Sequence, residues 1–436
     1  MKDRSTKIRG TLFIIVLILL ILPFIQNKSG IIKLELLKGS VAQPEKKYFS
    51  IKDWFSGDYQ LAEEKYLNET FGFRSSFIRV NNQIAFSLFD KAKANGVIIG
   101  KNNYLYEENY IKAYYGTDFI GIDSIKHRIE RLKFLQDTLK KLNKTLIVVF
   151  AAGKGSFYPE YFPKEFVKEK GKTNVEYHVK LAKEVGLNYI DFNQYFIENK
   201  STSKYPLYPK YGIHWSNYGT CLAADSMIKY IEKIRNIDMP NLYWKDVKLE
   251  NAKETDYDIG DGMNLLFYLR SNKMAYPDIQ IESDSGKIKP SALVVADSYY
   301  WPMFGTSFTK ALSNDHFWFY NQQVYPDFYQ NGLMTSQVNL KEEIEKHDII
   351  IIMATEATLP DLGWGFIENA YDLFKGVKKK LVFDAEFLRK MEIKRKYILT
   401  DEKWMEDIKR KAILNKISVD SMLTLDIIWI IQNESK

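Results

Sequence analysis

Cysteine is all but absent: Cys221 is the one thiol in 436 residues. No intrachain disulfide can form, and no thiolate zinc cluster can be built. Apolar neighbours mark Cys221 as a small core residue. Histidine is nearly as scarce, with five in all. His127 and His178 fall in expected helices, and His316 and His347 read as isolated. None has metal-ligand spacing, so the sequence predicts no metal. The stretch Gly153-Lys154-Gly155-Ser156 invites a phosphate-loop reading. It fails, because no glycine stands upstream where a P-loop needs its first one, and no third glycine completes a dinucleotide fingerprint. No cofactor is expected. A strong charge of one sign is missing too. The net charge is +7, and Lys2, Arg4, Lys7 and Arg9 crowd the first ten residues. The rest of the excess is too dispersed for nucleic acid. The stretch Arg389 to Lys416 is locally basic, but acids such as Glu392, Asp401 and Asp407 interrupt it. It reads first as a solvated helical face, and second as a membrane-surface or polyanion contact. There is no internal repeat.

What the chain does have is one long apolar run. Thr11 to Ile25 carries no charge and follows the basic tip. That is a signal-peptide or signal-anchor pattern. Flanking residues extend it towards the roughly 20 needed to cross a bilayer. No small-residue cleavage site follows directly, since Gln26-Asn27-Lys28 comes next. The expectation is an uncleaved anchor through residues 11–25. The positive-inside rule then puts residues 1–10 in the cytoplasm and the body on the periplasmic or extracellular side. The body itself is globular, at 46% hydrophobic and 27% charged residues.

Residues 26–60 read as a tether, and Ala62 to Phe89 as helical. Val97 to Tyr106 reads as two short strands around a turn at Gly100 to Asn103. Ser124 to Asn143 repeats apolar residues at helical spacing. Thr145 to Ala152 is a buried strand, then a helix from about Asn174 leads into a strand at Leu187 to Asp191. A helix from about Tyr218 to Ile234 precedes the strand Ala292 to Ala296. Further strands are expected at Asp348 to Met353 and Lys380 to Asp384, with helices from about 386 onward. Apolar strands alternating with amphipathic helices predict a mainly parallel sheet covered on both faces. Such folds place their chemistry at the carboxyl ends of the strands.

Ser298 falls at such an end, in Ala296-Asp297-Ser298-Tyr299-Tyr300. A serine hydroxyl needs a base to become a nucleophile, and His214 in Gly212-Ile213-His214-Trp215-Ser216 is the best candidate. Core packing of His214 and Trp215 is an equal alternative at this point. Asp297 adjoins the serine and points elsewhere, so it is expected to cap the next helix or hold the turn. The N–H groups of Ser298 and Tyr299 could form half of an oxyanion hole. Trp215, Tyr299, Tyr300 and Trp301 could wall a sugar site or fill the core. Lys154 could reach an anionic group, although an exposed lysine is the default.

Taken in order, these segments resemble a known family. Phe71-Gly72-Phe73-Arg74 with Ile78 to Asn82, and Val97 to Tyr106, are similar to its early motifs. So are Lys154 with Tyr158-Pro159, His214-Trp215 with Gly219, and Asp297-Ser298. The family is the alginate O-acetyltransferase, AlgX/AlgJ-like branch of the SGNH hydrolase superfamily. The resemblance covers roughly residues 65–385. It implies a three-layer α/β/α fold that moves acetyl groups onto a cell-surface polysaccharide. The acyl donor would come from a membrane-bound O-acyltransferase. It implies Ser298 as nucleophile, His214 as base, and Lys154 and Tyr158 beside the substrate. The division expected is 1–30 tip and anchor, 31–95 tether and helical segment, 96–385 the SGNH-like domain, and 386–436 C-terminal helices capping it. One departure stands out. The family's aspartate lies two residues before the histidine, where this chain has Gly212. Asp191 and Asp361, near predicted strand ends, are the expected substitutes. Without one, the alternatives are a Ser-His dyad or a non-catalytic glycan-binding subunit. An esterase on the same fold is the other alternative.

Overall fold

The computed structural model describes residues 2–39, 45–282, 286–305, 307–377, 385–414 and 418–434. Among the described residues the strands are β1 Val97–Ile99, β2 Leu105–Glu107, β3 Thr145–Ala151, β4 Tyr189–Asp191, β5 Leu242–Glu250, β6 Met274–Ile281, β7 Ala292–Ala296, β8 Asp315–Phe319, β9 Gln323–Tyr325 and β10 Ile349–Thr355. Six of them form the central sheet in the order β4-β3-β10-β7-β8-β9. All neighbours pair in parallel except β8 and β9, which form an antiparallel edge. The expected strand Lys380 to Asp384 lies outside the described residues. Strands β5, β6, β8 and β9 were not anticipated.

The inner strands β3, β7 and β10 are apolar on both sides because helices cover both faces. On one face Leu146, Val148 and Phe150 of β3 join Ile350 and Ile352 of β10, under Leu132, Leu135 and Leu139 of the helix Ile122–Lys141. On the other, Val149, Ile351 and Val294 meet Ala223, Met227 and Ile231 of the helix Asn217–Arg235. Period-two alternation along each strand splits the core into these two layers. Ser216 caps the second helix, accepting from the Gly219 N–H at 2.9 Å. Cys221 is buried in that helix, where burial pushes its thiol up to about 12.

The segment expected as one helix from Ala62 to Phe89 is two, Asp58–Thr70 and Arg74–Phe89. The break comes where Phe73 turns left-handed at φ 59° and Gly72 meets the N-terminal helix. A Cβ on Gly72 would lie 1.9 Å from the Pro23 carbonyl oxygen. The N-terminal helix Lys2–Ser29 includes Thr6–Ser29, long and apolar enough to cross a membrane, with mean hydropathy 2.7. The chain after it lies against the body. Arg79 donates to the carbonyls of Glu35 at 2.9 Å and Leu36 at 2.7 Å. Lys38 pairs with Asp261 at 2.9 Å, and its N–H donates to Asn264 at 2.8 Å.

Residues Gly376–Lys436 form a separate compact unit. Its helices Ala385–Leu399, Glu402–Leu414 and Val419–Glu434 close around Ile398, Ile408, Leu423 and Ile427. The basic stretch there is laced with ion pairs, Lys396 to Glu392 and Lys411 to Asp407 among them, as a solvated helical face requires.

Candidate functional site

Strand β7 ends at Ala296, and the chain turns sharply there. Asp297 makes the turn. Its carboxylate accepts from the N–H groups of Tyr299 at 3.0 Å and Thr355 at 2.9 Å, and from the Thr358 hydroxyl at 2.7 Å. It therefore holds the turn and also ties the end of β7 to the end of neighbouring β10, a link the sequence does not suggest. Ser298 is delivered half-buried at the carboxyl edge of the sheet.

His214 comes from a loop with no regular structure. Hydrogen bonds from three sides help to hold that loop. Ser216 N–H donates to Leu207 O at 2.8 Å, Tyr299 donates its hydroxyl to Ile213 O at 2.5 Å, and Lys154 donates to Gly212 O at 2.6 Å. The imidazole packs against the Tyr299 ring, 4.7 Å between centroids. His214 Nε2 lies 3.0 Å from Ser298 Oγ. The equal choice between site and core thus resolves by parts: His214 faces the serine, while Trp215 is fully buried against Phe192 and Phe196.

The carboxylate behind His214 is Asp258, which the sequence reading missed. Its Oδ2 is in short hydrogen-bond contact with His214 Nδ1. Its Oδ1 accepts from the Ile213 N–H at 2.8 Å and its neighbour Ile259 N–H at 2.7 Å. One oxygen is thus fixed by main chain and the other aimed at the ring. Neither expected substitute takes this place. Asp191 caps the helix Phe192–Asn199 through the Gln194 N–H at 3.1 Å, and Asp361 is exposed in a short helical turn.

Gly212 explains the exchange. A Cβ there would lie 2.4 Å from the Thr255 carbonyl oxygen and 2.8 Å from the Asp256 carbonyl carbon. Both are main-chain atoms and cannot swing aside. Absence of a side chain at 212 is what lets the 254–258 segment come close enough to place Asp258. The segment is itself anchored, since buried Asp256 accepts from the Asn217 N–H at 3.1 Å.

Burial disfavours the charged His214 ring, but the Asp258 carboxylate and its hydrogen bond outweigh it, and the His214 pKa is raised. Glu107, at the end of β2, is raised by burial and then by the Asp258 charge. Tyr320 follows β8 with φ 48°, left-handed for a bulky residue. Its N–H donates to Ala296 O at 2.9 Å, and its ring meets Trp364 edge-on at 5.0 Å. Burial has the larger effect on the Tyr320 hydroxyl, and Ser298 lies close enough to lower its pKa against that effect. Burial pushes it up to about 12, so it stays protonated at neutral pH.

Several expected substrate residues serve the fold instead. Lys154 is fully buried and donates to three carbonyls, Leu105 and Gly212 at 2.6 Å and Lys210 at 2.9 Å. These acceptors match the three protons of an ammonium, so it bolts β2 to the histidine loop and cannot reach a substrate. Burial draws its pKa down to about 7, opposed by Asp258 and Glu107. The Gly153 to Ser156 turn wraps buried Glu356, which accepts from the Ser156 N–H at 3.0 Å. Tyr300 is buried and donates to Asp315 at 2.8 Å. Trp301 is half-buried among Phe317, Phe319 and Tyr325. Tyr158 packs on Tyr104 and Phe157. The Tyr299 N–H is taken by Asp297 and is not open to an oxyanion. His316 and His347 are not isolated either: their rings lie 4.9 Å apart.

Residues 97–320 match the family described as SGNH hydrolase-like domain, acetyltransferase AlgX. No curated protein matches the chain. Among solved structures, the O-acetyltransferase domain of Pseudomonas putida AlgJ is 13% identical, with 68% of this chain and 98% of that one covered, at a TM-score of 0.41. Pseudomonas aeruginosa AlgX is 16% identical over 63% and 67% of the two chains, at 0.40. Bacillus cereus PatB1 is 12% identical over 62% and 99%, at 0.38.

Proposed function

Because the chain belongs to the SGNH hydrolase-like, AlgX family of O-acetyltransferases, we propose that it acetylates an extracytoplasmic polysaccharide through an acyl-enzyme on Ser298. One observation carries this reading: the unbroken line from Ser298 Oγ through His214 to Asp258. His214 Nε2 takes the Ser298 proton as Oγ attacks the acetyl carbonyl carbon. Asp258 holds the proton on Nδ1, leaving Nε2 free to accept, and stabilises the imidazolium that forms. The developing oxyanion meets the Ser298 N–H and the Tyr320 hydroxyl. The imidazolium then protonates the leaving group of the donor. In the second half, a sugar hydroxyl gives its proton to His214 and attacks the acetyl carbon, and the imidazolium passes that proton to Ser298 Oγ as it leaves. Glycine at 212 suggested a non-catalytic subunit, and Asp258 removes that motive.

The apolar helix supports a place at the membrane. Four cations precede it within the first ten residues, which favours the tip inside and the body outside. In that position a membrane-bound O-acyltransferase is the natural source of the acetyl group.

Intact-mass analysis after incubation with an activated acetyl ester tests the reading. One acetyl is expected on the protein, and fragmentation is expected to place it on Ser298. No adduct, or an adduct elsewhere, overturns the proposal. Loss of the adduct faster with polysaccharide than in buffer marks a transferase. Equal loss in buffer alone marks an esterase.

Tyr320→Phe separates the oxyanion role from a packing role, since it keeps the ring against Trp364. Acylation is expected to slow by about 10²–10³, with the unfolding midpoint unchanged. Wild-type acylation in this variant would remove Tyr320 from the mechanism.

A further inference from the structure

We propose that His316, Glu343 and His347 form a binding site for a divalent transition-metal cation, with zinc the best fit. The site stands apart from Ser298. His316 is the second residue of β8, and His347 stands two residues before the start of β10. Both therefore lie at the amino ends of the two strands that pair in parallel with β7, whose carboxyl end carries the serine. Along β8, His316 stands three residues before the carboxyl end at Phe319, roughly 10 Å away.

One ligand atom from each of the three side chains lies within 4.8 Å of the other two. Ligands around a tetrahedral zinc at its usual bond lengths stand roughly 3.4 Å apart. Small side-chain rotations close that difference. Glu343 and His347 are four apart, one helical turn, on and just after the helix Leu340–Lys346. His316 comes to them from the strand, its Nδ1 2.7 Å from Glu343 Oε2.

His347 supplies the second, independent observation. The residue is fully buried, and its Nδ1 lies 2.7 Å from the Glu343 carbonyl oxygen. A carbonyl only accepts, so Nδ1 carries the proton and Nε2 keeps its lone pair. That Nε2 is buried with no hydrogen-bond partner. An unmet buried acceptor is costly unless something occupies it. Metal-bound histidines characteristically donate their other ring N–H to a main-chain carbonyl or carboxylate, which orients the ring. His347 already has that arrangement.

Two imidazoles and one carboxylate suit zinc in its three-ligand form, with water completing the shell. His316 and Glu343 side chains keep 13% and 12% exposure, enough for that water and for entry. Lys346 stands 3.7 Å from Glu343 Oε1 and would give way to the cation.

The test is calorimetric titration of the tag-free, chelator-treated full-length chain, in detergent, with zinc chloride. One equivalent is expected to bind, and the unfolding midpoint to rise with it. Cobalt in its place is expected to give the visible bands of a four-coordinate site. His316→Gln and Glu343→Gln are expected to weaken zinc binding by at least about tenfold and to abolish the cobalt bands. Circular dichroism confirms that each variant is folded, and either one suffices. The absence of one-to-one zinc or cobalt binding overturns the proposal. So does binding that survives unchanged in a folded variant.

Discussion

Asp258→Asn is expected to slow acyl transfer by about 10⁴, or about 5.5 kcal/mol of transition-state stabilisation. The fold has no reason to change. The amide oxygen can stay where Oδ1 now accepts from Ile213 and Ile259. The amide nitrogen then faces His214 Nδ1 and donates to it. That forces the ring proton onto Nε2, the atom that must accept from Ser298. The pH profile supplies a second readout. His214 must be neutral to act as base, and Asp258 is the chief group raising its pKa. Wild-type activity should therefore rise with pH through a limb above the ordinary histidine range. In the variant the chief raising influence is gone while burial remains, so the limb moves to lower pH. Asp191→Asn and Asp361→Asn should leave both rate and limb unchanged. Wild-type acylation rates in Asp258→Asn would sink the triad as drawn.

Gly212→Asp restores the family's residue and is nevertheless expected to lower activity by at least about 10². The new Cβ would press on the Thr255 carbonyl at 2.4 Å. Asp256, bonded to the Asn217 N–H, keeps that segment from retreating. Either the 254–258 chain moves and takes Asp258 away, or the 212–214 chain moves and takes His214 away. Overpacking of this kind costs about 1–3 kcal/mol, so the unfolding midpoint should fall as well. Gain of activity would mean that position 212 still serves as the acid position, and that Asp258 is incidental.

The same pair of residues shows what could be read from the chain. β3, β7 and β10 were legible because their buried faces leave unbroken apolar runs, and a serine at a strand end stands out. Ser298 and His214 followed from that. Asp258 did not, because it is 44 residues from its partner and belongs to no motif. The one hint was local: Glu254, Asp256 and Asp258 crowd a short stretch ending in Gly260 and Gly262. Lys154 misled for the opposite reason. A lysine after a strand is ordinarily solvated, and only tertiary packing brings three carbonyls onto it. His316 and His347 likewise looked solitary, since a strand and a helix 31 positions apart meet only across the fold (347 − 316 = 31).

On the proposed membrane placement, the docking of Lys38 onto Asp261 and Asn264 limits how far the enzyme can work. Asp261 lies in the helix Asp258–Gly262, whose first residue orients His214. From Ser29, where the apolar helix ends, to Lys38 the chain can stretch at most about 30 Å. With that helix in a bilayer, the residue that aligns the base is leashed within that height of the membrane surface. The reaction then belongs to a thin layer next to the lipid. A polysaccharide strand would be acetylated as it leaves the membrane, and not once it has moved further out.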